Sequence, residues 1–345
     1  MKNWKRIMTY LMAVACVILL AACSQGGKST EGISEIPVDN GNSTTGSGKQ
    51  MKIILTVMTQ QHAYFQNVIR RWESLAEENN FELTVMDPNM DSVKLEKIVE
   101  DIIASAPDGV AFSPLDSTTA VSQVQRIMDA GIKVVPYNLL PSELLGPSVK
   151  GDDYNGGVLV GENAARIWKE RHPDREPVVA VLSTVGIKEV TLRVDGFIDG
   201  FRSIYPDFEP IQEGDGQGQR TLCLKLAEDM LQAHPEINIF FGVNDDSGLG
   251  ALDALKEINR NTIDEALVCA IDGSEAALLE VKKPESAFKV DIGNPPKEMA
   301  EVTWDTLKKV MDGSMTETVA LPVSYVYISL DEVDQWLETQ YPKNK

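Results

Sequence analysis

The chain of 345 residues is poor in the side chains that build covalent or metal frameworks, with only four cysteines and three histidines. Neither type recurs at the spacing of a disulfide scaffold or a zinc site, which excludes a small stapled fold and a structural zinc module. Positive charge is also scarce. Lys and Arg number 32 against 52 Asp and Glu, a formal charge of −20. Such a surface repels phosphate backbones instead of releasing their counterions, so nucleic acid is not an expected partner. What is present is apolar material for a core: 43% of residues are apolar and 24% charged. That balance excludes disorder as the main state and suits one large core or, better, two of ordinary domain size.

The first residues have the layout of an export signal. Lys2, Lys5 and Arg6 form a basic start, Ile7 to Leu20 an apolar run, and Leu20-Ala21-Ala22-Cys23 a small-residue cleavage site. An uncleaved membrane helix is the alternative, but the run is shorter than the roughly 20 residues a bilayer span needs, and a polar stretch follows at once. Leu20-Ala21-Ala22-Cys23 is similar to the lipobox of bacterial lipoproteins, in which the cysteine becomes the lipidated first residue of the mature chain. Residues 1–22 are therefore expected to be a lipoprotein signal peptide and Cys23 a lipid anchor, placing the protein outside the cytoplasm on a membrane face. Residues 23–50, rich in Gly, Ser, Thr and Asn, read as a flexible tether.

From Met51 onward short apolar runs alternate with segments of helical period, the signature of repeated βαβ units around a parallel sheet. The runs are Ile53 to Val57, Leu83 to Met86, Gly109 to Phe112, Val134 to Tyr137, Val178 to Leu182, Ile237 to Val243, Leu267 to Ile271 and Phe288 to Ile292. Between them, Phe65, Val68, Ile69, Trp72, Leu75 and Ala76 recur at helical spacing, as do Val121, Val124, Ile127 and Met128, and Leu249, Leu252, Leu255 and Ile258. These stripes read as core. Cys223 and Cys269 read as buried apolar fillers, with a disulfide between them not favoured.

A doubly wound sheet closes near 150 residues and this body is about twice that, so the expected fold class is α/β with two Rossmann-like parallel-sheet lobes. Three places suit a crossing between lobes: Asp152 to Gly157, Asn294-Pro295-Pro296, and Ala320-Leu321-Pro322. They divide the body into an N-terminal lobe of residues 51–153 and 294–320 and a C-terminal lobe of residues 154–293 and 321–345. A three-stranded hinge leaves a cleft between them.

Ligands of open α/β sheets bind beyond the carboxyl ends of the strands, so the residues that follow each apolar run are the candidates. These are Gln60, Gln61, His62, Tyr64 and Phe65 after the first run; Asn138; Glu189 and Arg193; Asn244, Asp245 and Asp246; Asp272; and Asn294. Amides, carboxylates, one guanidinium and aromatics are what a polyhydroxylated ligand needs, because planar polar groups grip adjacent hydroxyls and a ring covers the C–H face. Each also has a local explanation: Asn244 or Asp245 as a helix cap, Asp272-Gly273 as a tight turn, Arg193 as a surface ion pair with Glu189.

From Met51 to its end the chain resembles the ribose- and galactose/glucose-binding periplasmic proteins, the type I substrate-binding proteins of ABC transporters. The resemblance rests on Asp116-Ser117, on Gly151 to Gly157, on Arg193-Val194-Asp195-Gly196-Phe197, on Val243 to Asp246 followed by Leu249-Gly250-Ala251-Leu252, and on Ala270-Ile271-Asp272-Gly273. It implies ligand roles for Tyr64, Phe65, Asn138, Glu189, Arg193, Asn244, Asp272 and Asn294, with Tyr64 and Phe65 as ring-stacking aromatics, and His62, placed just after the first run, completes the candidate set. Asn138 implies a hexose-type pocket, and Leu139, where ribose binders carry arginine, argues against ribose. The segment Gly214 to Gln219 lacks the family's second stacking aromatic and reads as a loop. Asp87, Asn89 and Asp91 imitate the start of a calcium loop, but Ser92 and Ile98 break the pattern, so no metal and no cofactor are expected.

The implied function is a monomeric, lipid-anchored receptor that closes on a sugar and delivers it to an ABC transporter permease. The alternative is a sensing receptor that presents its closed form to a sensor kinase or chemoreceptor. An enzyme is not expected: Glu189 and Asp272 could be imagined as paired carboxylates, but no nucleophile, metal set or phosphate loop accompanies them, and His62, His172 and His234 are scattered. A repressor with a similar core is disfavoured because an export signal stands where a DNA-binding headpiece would be.

Overall fold

The computed structural model describes residues 50–342. The export signal, Cys23 and all of the expected tether except Gln50 lie outside the described residues.

The chain first lays down β1 (Met51–Thr56), α1 (Ala63–Asn79), β2 (Phe81–Met86), α2 (Ser92–Ser105), β3 (Gly109–Phe112), α3 (Ser117–Asp129), β4 (Lys133–Asn138) and β5 (Ser148–Gly151). Each expected run in this half is a strand, since a short apolar segment buried on both faces suits a parallel sheet. Side chains start the helices: His62 accepts from the Tyr64 amide, Asp91 from Val93 and Lys94, and Asp116 from Thr119. Asp91 therefore serves the backbone, as does Asp87, which accepts from the Gln60 and Asn89 amides.

The second half continues with α4 (Asp153–Arg171), β6 (Val179–Ser183), α5 (Lys188–Arg202), β7 (Gln212–Asp215), α6 (Arg220–Ala233), β8 (Ile239–Gly242), α7 (Asp245–Glu257), β9 (Leu267–Asp272), α8 (Glu275–Val281) and β10 (Phe288–Gly293). The chain then returns through α9 (Pro296–Met311) and β11 (Ala320–Val323), and ends with β12 (Val326–Tyr327) and α10 (Val333–Gln340). Two six-stranded sheets result, ordered β11-β5-β4-β3-β1-β2 and β12-β10-β9-β8-β6-β7. All pairings are parallel except that of β12 with β10. The α/β two-lobe architecture expected from the run spacing is the one observed.

Crossings occur after β5, between β10 and α9, and between β11 and β12. The third lies beyond the expected boundary at residue 320, because Ala320 to Val323 pair with Ser148 to Gly151 and so belong to the first sheet. Backbone pairing, which leaves little trace in so short a segment, decides that point. Likewise Gln212 to Asp215, partly read as loop, form an edge strand against β6.

Each sheet is covered on both faces by apolar clusters. Trp72, Phe81 and Trp304 pack together on one side of the first sheet, and Phe197 stacks on Phe241 at 4.3 Å on one side of the second. Two stripe residues are exceptions: Met128 is 40% and Ile258 47% exposed. Met128 is one residue past the buried Ile127, about 100° round the helix, and Ile258 is the C-terminal cap of α7. Cys223 and Cys269 are free and buried in different clusters. His172 and His234 cap the C-terminal ends of α4 and α6.

The seam between α4 and α5 is closed by glycine. A Cβ on Gly157 would lie 2.2 Å from the Arg193 carbonyl oxygen, and one on Gly196 2.1 Å from that of Tyr154. Only hydrogen at these positions lets the helices approach so closely, and that approach sets where α5 places Glu189 and Arg193.

Candidate functional site

Arg193 projects from the second turn of α5 toward the hinge. Its Nε donates to Asp153 Oδ1 at 2.8 Å, one terminal nitrogen to the Val243 carbonyl at 2.8 Å, and the other to the Tyr325 hydroxyl at 2.9 Å. Tyr325 in turn donates to Asp153 Oδ1 at 2.8 Å. Asp153 opens α4 directly after the first crossing and Tyr325 lies in the third, so one guanidinium latches two hinge segments. A guanidinium has five N–H groups, and three are used. One terminal nitrogen also lies 3.9 Å from Asp272 Oδ1. Burial opposes the charge on Arg193, but the oxygens of Tyr325, Asp153 and Asp272 more than offset it, and its pKa rises above the ordinary value. Tyr325 fits because its neighbours are glycines: a Cβ on Gly151 or Gly156 would fall 2.2 Å from its side chain.

Asp272 ends β9 at the centre of the cleft, 5% exposed. Its φ of 147° is outside the range that L-residues normally adopt, a strain of about 1–3 kcal/mol that the surroundings must sustain. From the other lobe, His62 Nε2 reaches to 3.8 Å from Asp272 Oδ2 and 3.9 Å from Asp246 Oδ2. The Asn294 amide faces both the Asp272 carboxylate and the Tyr64 hydroxyl. Burial raises the Asp272 pKa, His62 and Arg193 counteract it, and Asp246 adds to it. Tyr64 is 3% exposed and burial, with the Asp272 charge, pushes its pKa up. The hydroxyl of Tyr64 and Oδ1 of Asn294 are buried without a hydrogen-bond partner among the described residues.

Asn138 and Glu189 sit at the end of β4 and the start of α5. Asn138 ends β4 with φ 68° and its amide contacts the Met58 sulfur at 3.3 Å. Glu189, in the first turn of α5, faces the Leu140 backbone amide of the opposite lobe, and burial raises its pKa. Its Oε2 is also buried without a hydrogen-bond partner among the described residues.

The nine candidate residues thus divide. His62, Tyr64, Arg193, Asp272 and Asn294 converge from both lobes on one point. Asn138 and Glu189 stand at the lobe facing edges of β4 and α5. Phe65 is 7% exposed and packed in the first lobe's core with its edge toward Tyr64 at 5.2 Å. Asn244 is held in local work: its oxygen caps α7 through the Ser247 amide at 2.9 Å and hydroxyl at 2.6 Å, and its amide braces the Gly218 carbonyl at 3.1 Å. Of the two explanations open for Asn244, the cap is the one its observed bonds display. Arg193 is not the surface partner of Glu189; Asp153 occupies that role from within. Sequence reasoning missed Asp153 and Tyr325 as site residues. Asp153 sat in a segment read as a crossing and as part of the family resemblance but given no ligand role, and nothing near Tyr325 in the sequence marks it.

Comparison with known proteins places the chain in a known family. A family model described as periplasmic binding protein domain matches residues 53–315. The ribose import binding protein RbsB of Bacillus subtilis is 23% identical over 282 residues, covering 81% of this chain and 88% of that protein. The galactofuranose-binding protein YtfQ of Escherichia coli is 24% identical over 266 residues, covering 74% and 81%. The same fold is seen in a periplasmic solute binding protein of an ABC transporter from Actinobacillus succinogenes, solved with bound D-allose. It superposes with a TM-score of 0.75 at 22% identity, covering 83% of this chain and 100% of that one. These relatives are binding proteins, not enzymes.

Proposed function

Since this chain belongs to the periplasmic binding protein domain family, we propose that it is an extracytoplasmic receptor that captures a sugar between its two lobes and delivers it to an ABC transporter permease. The observation that carries the reading is the convergence of His62 and Tyr64 from one lobe with Arg193 and Asp272 from the other around buried, unpartnered polar atoms. A hydroxyl both donates and accepts. It can pair with the two unused N–H groups of Arg193, with the Asp272 carboxylate, with Asn294 Oδ1 and with Tyr64, and so relieve groups whose burial is otherwise unfavourable. Because these contacts exist together only when the lobes meet, ligand binding shifts the population toward the closed form, the shape a permease would recognise.

The ligand is a hexose or similar polyol in preference to ribose: the residue after Asn138 is the buried, apolar Leu139, which offers no guanidinium to a pentose. The names of the relatives span ribose, allose and galactofuranose, so the class is broad. Lipid attachment at Cys23, supported by the Leu20-Ala21-Ala22-Cys23 motif, and a monomeric state complete the proposal. Titration calorimetry with D-ribose, D-allose, D-galactose and myo-inositol tests the receptor reading. At least one hexose or inositol should bind, and Asp272→Ala should weaken it by about 2–5 kcal/mol; undiminished binding in that variant would overturn the assignment. Detergent-phase partitioning of the full chain, lost in Cys23→Ala, checks the anchor.

A further inference from the structure

The two residues that follow the strained Asp272 are held by two buried carboxylates. Asp291, on β10, accepts from the Gly273 amide at 3.1 Å, and Asp245, at the start of α7, accepts from the Ser274 amide at 2.6 Å. The Gly273 carbonyl is taken by the Trp336 indole of α10 at 2.7 Å. Asp291 is 1% and Asp245 3% exposed, and neither is ion-paired with a cation among the described residues. Each has one oxygen bonded to the turn; the other, Oδ2 of Asp291 and Oδ1 of Asp245, is buried without a partner among the described residues, and because they hold consecutive amides the two carboxylates stand side by side. Two ionised carboxylates are acceptors only, so this juxtaposition is unfavourable unless one proton stands between them.

We propose that Asp245 and Asp291 share a single proton and together act as positioning residues that hold the Asp272 turn in its left-handed conformation, aiming the Asp272 carboxylate at the ligand. The proton turns two repelling acceptors into a donor and an acceptor, leaving the outer oxygens free to hold consecutive amides. The other titratable groups facing the pair fit this arrangement. Asp272 adds negative charge from β9, which favours keeping the proton. Tyr341, just past α10, presents a hydroxyl whose pKa is raised by burial and then by the three carboxylates, so it stays neutral. His62 and Arg193 lie beyond Asp272 and oppose its charge. Burial lifts the pKa of both members well above the ordinary range, aided at Asp245 by the Asp272 charge and at Asp291 by the Asp245 charge, while the hydrogen bond from Asp291 works the other way on Asp245.

The inference rests on Asp272 being a ligand residue, so its test needs one readout without ligand. In Asp291→Asn the side-chain amide supplies a permanent donor to Asp245 and its oxygen still accepts from Gly273; Asp291→Leu removes both bonds. A carboxyl whose folded pKa is raised above its unfolded value of 3.8 binds more protons folded than unfolded, so its contribution to stability declines as pH rises through that window. The melting temperature of the wild type should therefore fall relative to that of Asp291→Asn as pH rises above about 4. With the sugars named above as probes, Asp291→Asn should bind within about threefold of wild type at acid pH, and Asp291→Leu at least about tenfold more weakly. Parallel melting curves, or undiminished binding by Asp291→Leu, would overturn the shared proton or its positioning role. Diverging curves with no sugar bound by any variant would support the shared proton while removing the receptor reading.

Discussion

Replacing Arg193 by methionine should destabilise the hinge before any ligand is considered. Methionine keeps much of the aliphatic stem but removes the bonds to Asp153, Val243 and Tyr325. Asp153, 4% exposed, then faces the interior as a charge whose closest counter-ion is gone. Breaking a buried pair from one side typically lowers stability by about 3–5 kcal/mol, most of it the penalty of the stranded charge. That is a large part of the roughly 5–15 kcal/mol of a typical domain. If this is the mechanism, Asp153→Asn in the Arg193→Met background should restore stability, since a neutral amide no longer needs a cation. Urea unfolding of the ligand-free protein at neutral pH, followed by tryptophan fluorescence, gives the double-mutant cycle. We expect a coupling of about 1–3 kcal/mol. Additivity of the two single changes within about 0.5 kcal/mol would refute the latch and with it the idea that hinge and ligand site share one guanidinium.

Three other outcomes follow from the same geometry. Gly157→Ala places a methyl 2.2 Å from the Arg193 carbonyl, so α5 must shift; calorimetry should show lower stability by about 1–3 kcal/mol together with weaker sugar binding, because that helix carries Glu189 and Arg193. Glu189 is held above its ordinary value of 4.5 by burial, so its folded form retains a proton that the unfolded form loses. The melting temperature of the wild type should accordingly decline relative to Glu189→Gln as pH rises from about 4, and a difference that does not change with pH would contradict the assignment. Asn244→Ala removes the α7 cap and the brace on Gly218, which should lower stability by about 1 kcal/mol in thermal unfolding. If it instead abolishes sugar binding with stability intact, Asn244 touches the ligand as the family resemblance implied.

Much of the site's ancestry was visible as pattern. Each apolar run read as a strand is one, and the polar residues just past those strands include five that meet in the cleft. The pattern is strong because a parallel sheet places all its carboxyl ends on one edge, whatever the loops between them. Phe65 and Asn244 show the limit of such reasoning. Position after a strand puts a residue near the cleft, but the backbone's own needs, a core face on α1 and an open helix terminus on α7, claimed these two side chains.

Composition, periodicity and strand-end polarity by themselves determined the two-lobe α/β class and the neighbourhood of the site, because each is a local property repeated along the chain. Only the tertiary structure decided which polar groups pair. Asp153, Arg193 and Tyr325 come from positions 40 and 132 residues apart, and Asp245 and Asp291 from neighbouring regions of one sheet edge. Their partnership depends on glycine seams and close approach of packed elements, and a contact that exists only after packing leaves no periodic mark on the sequence.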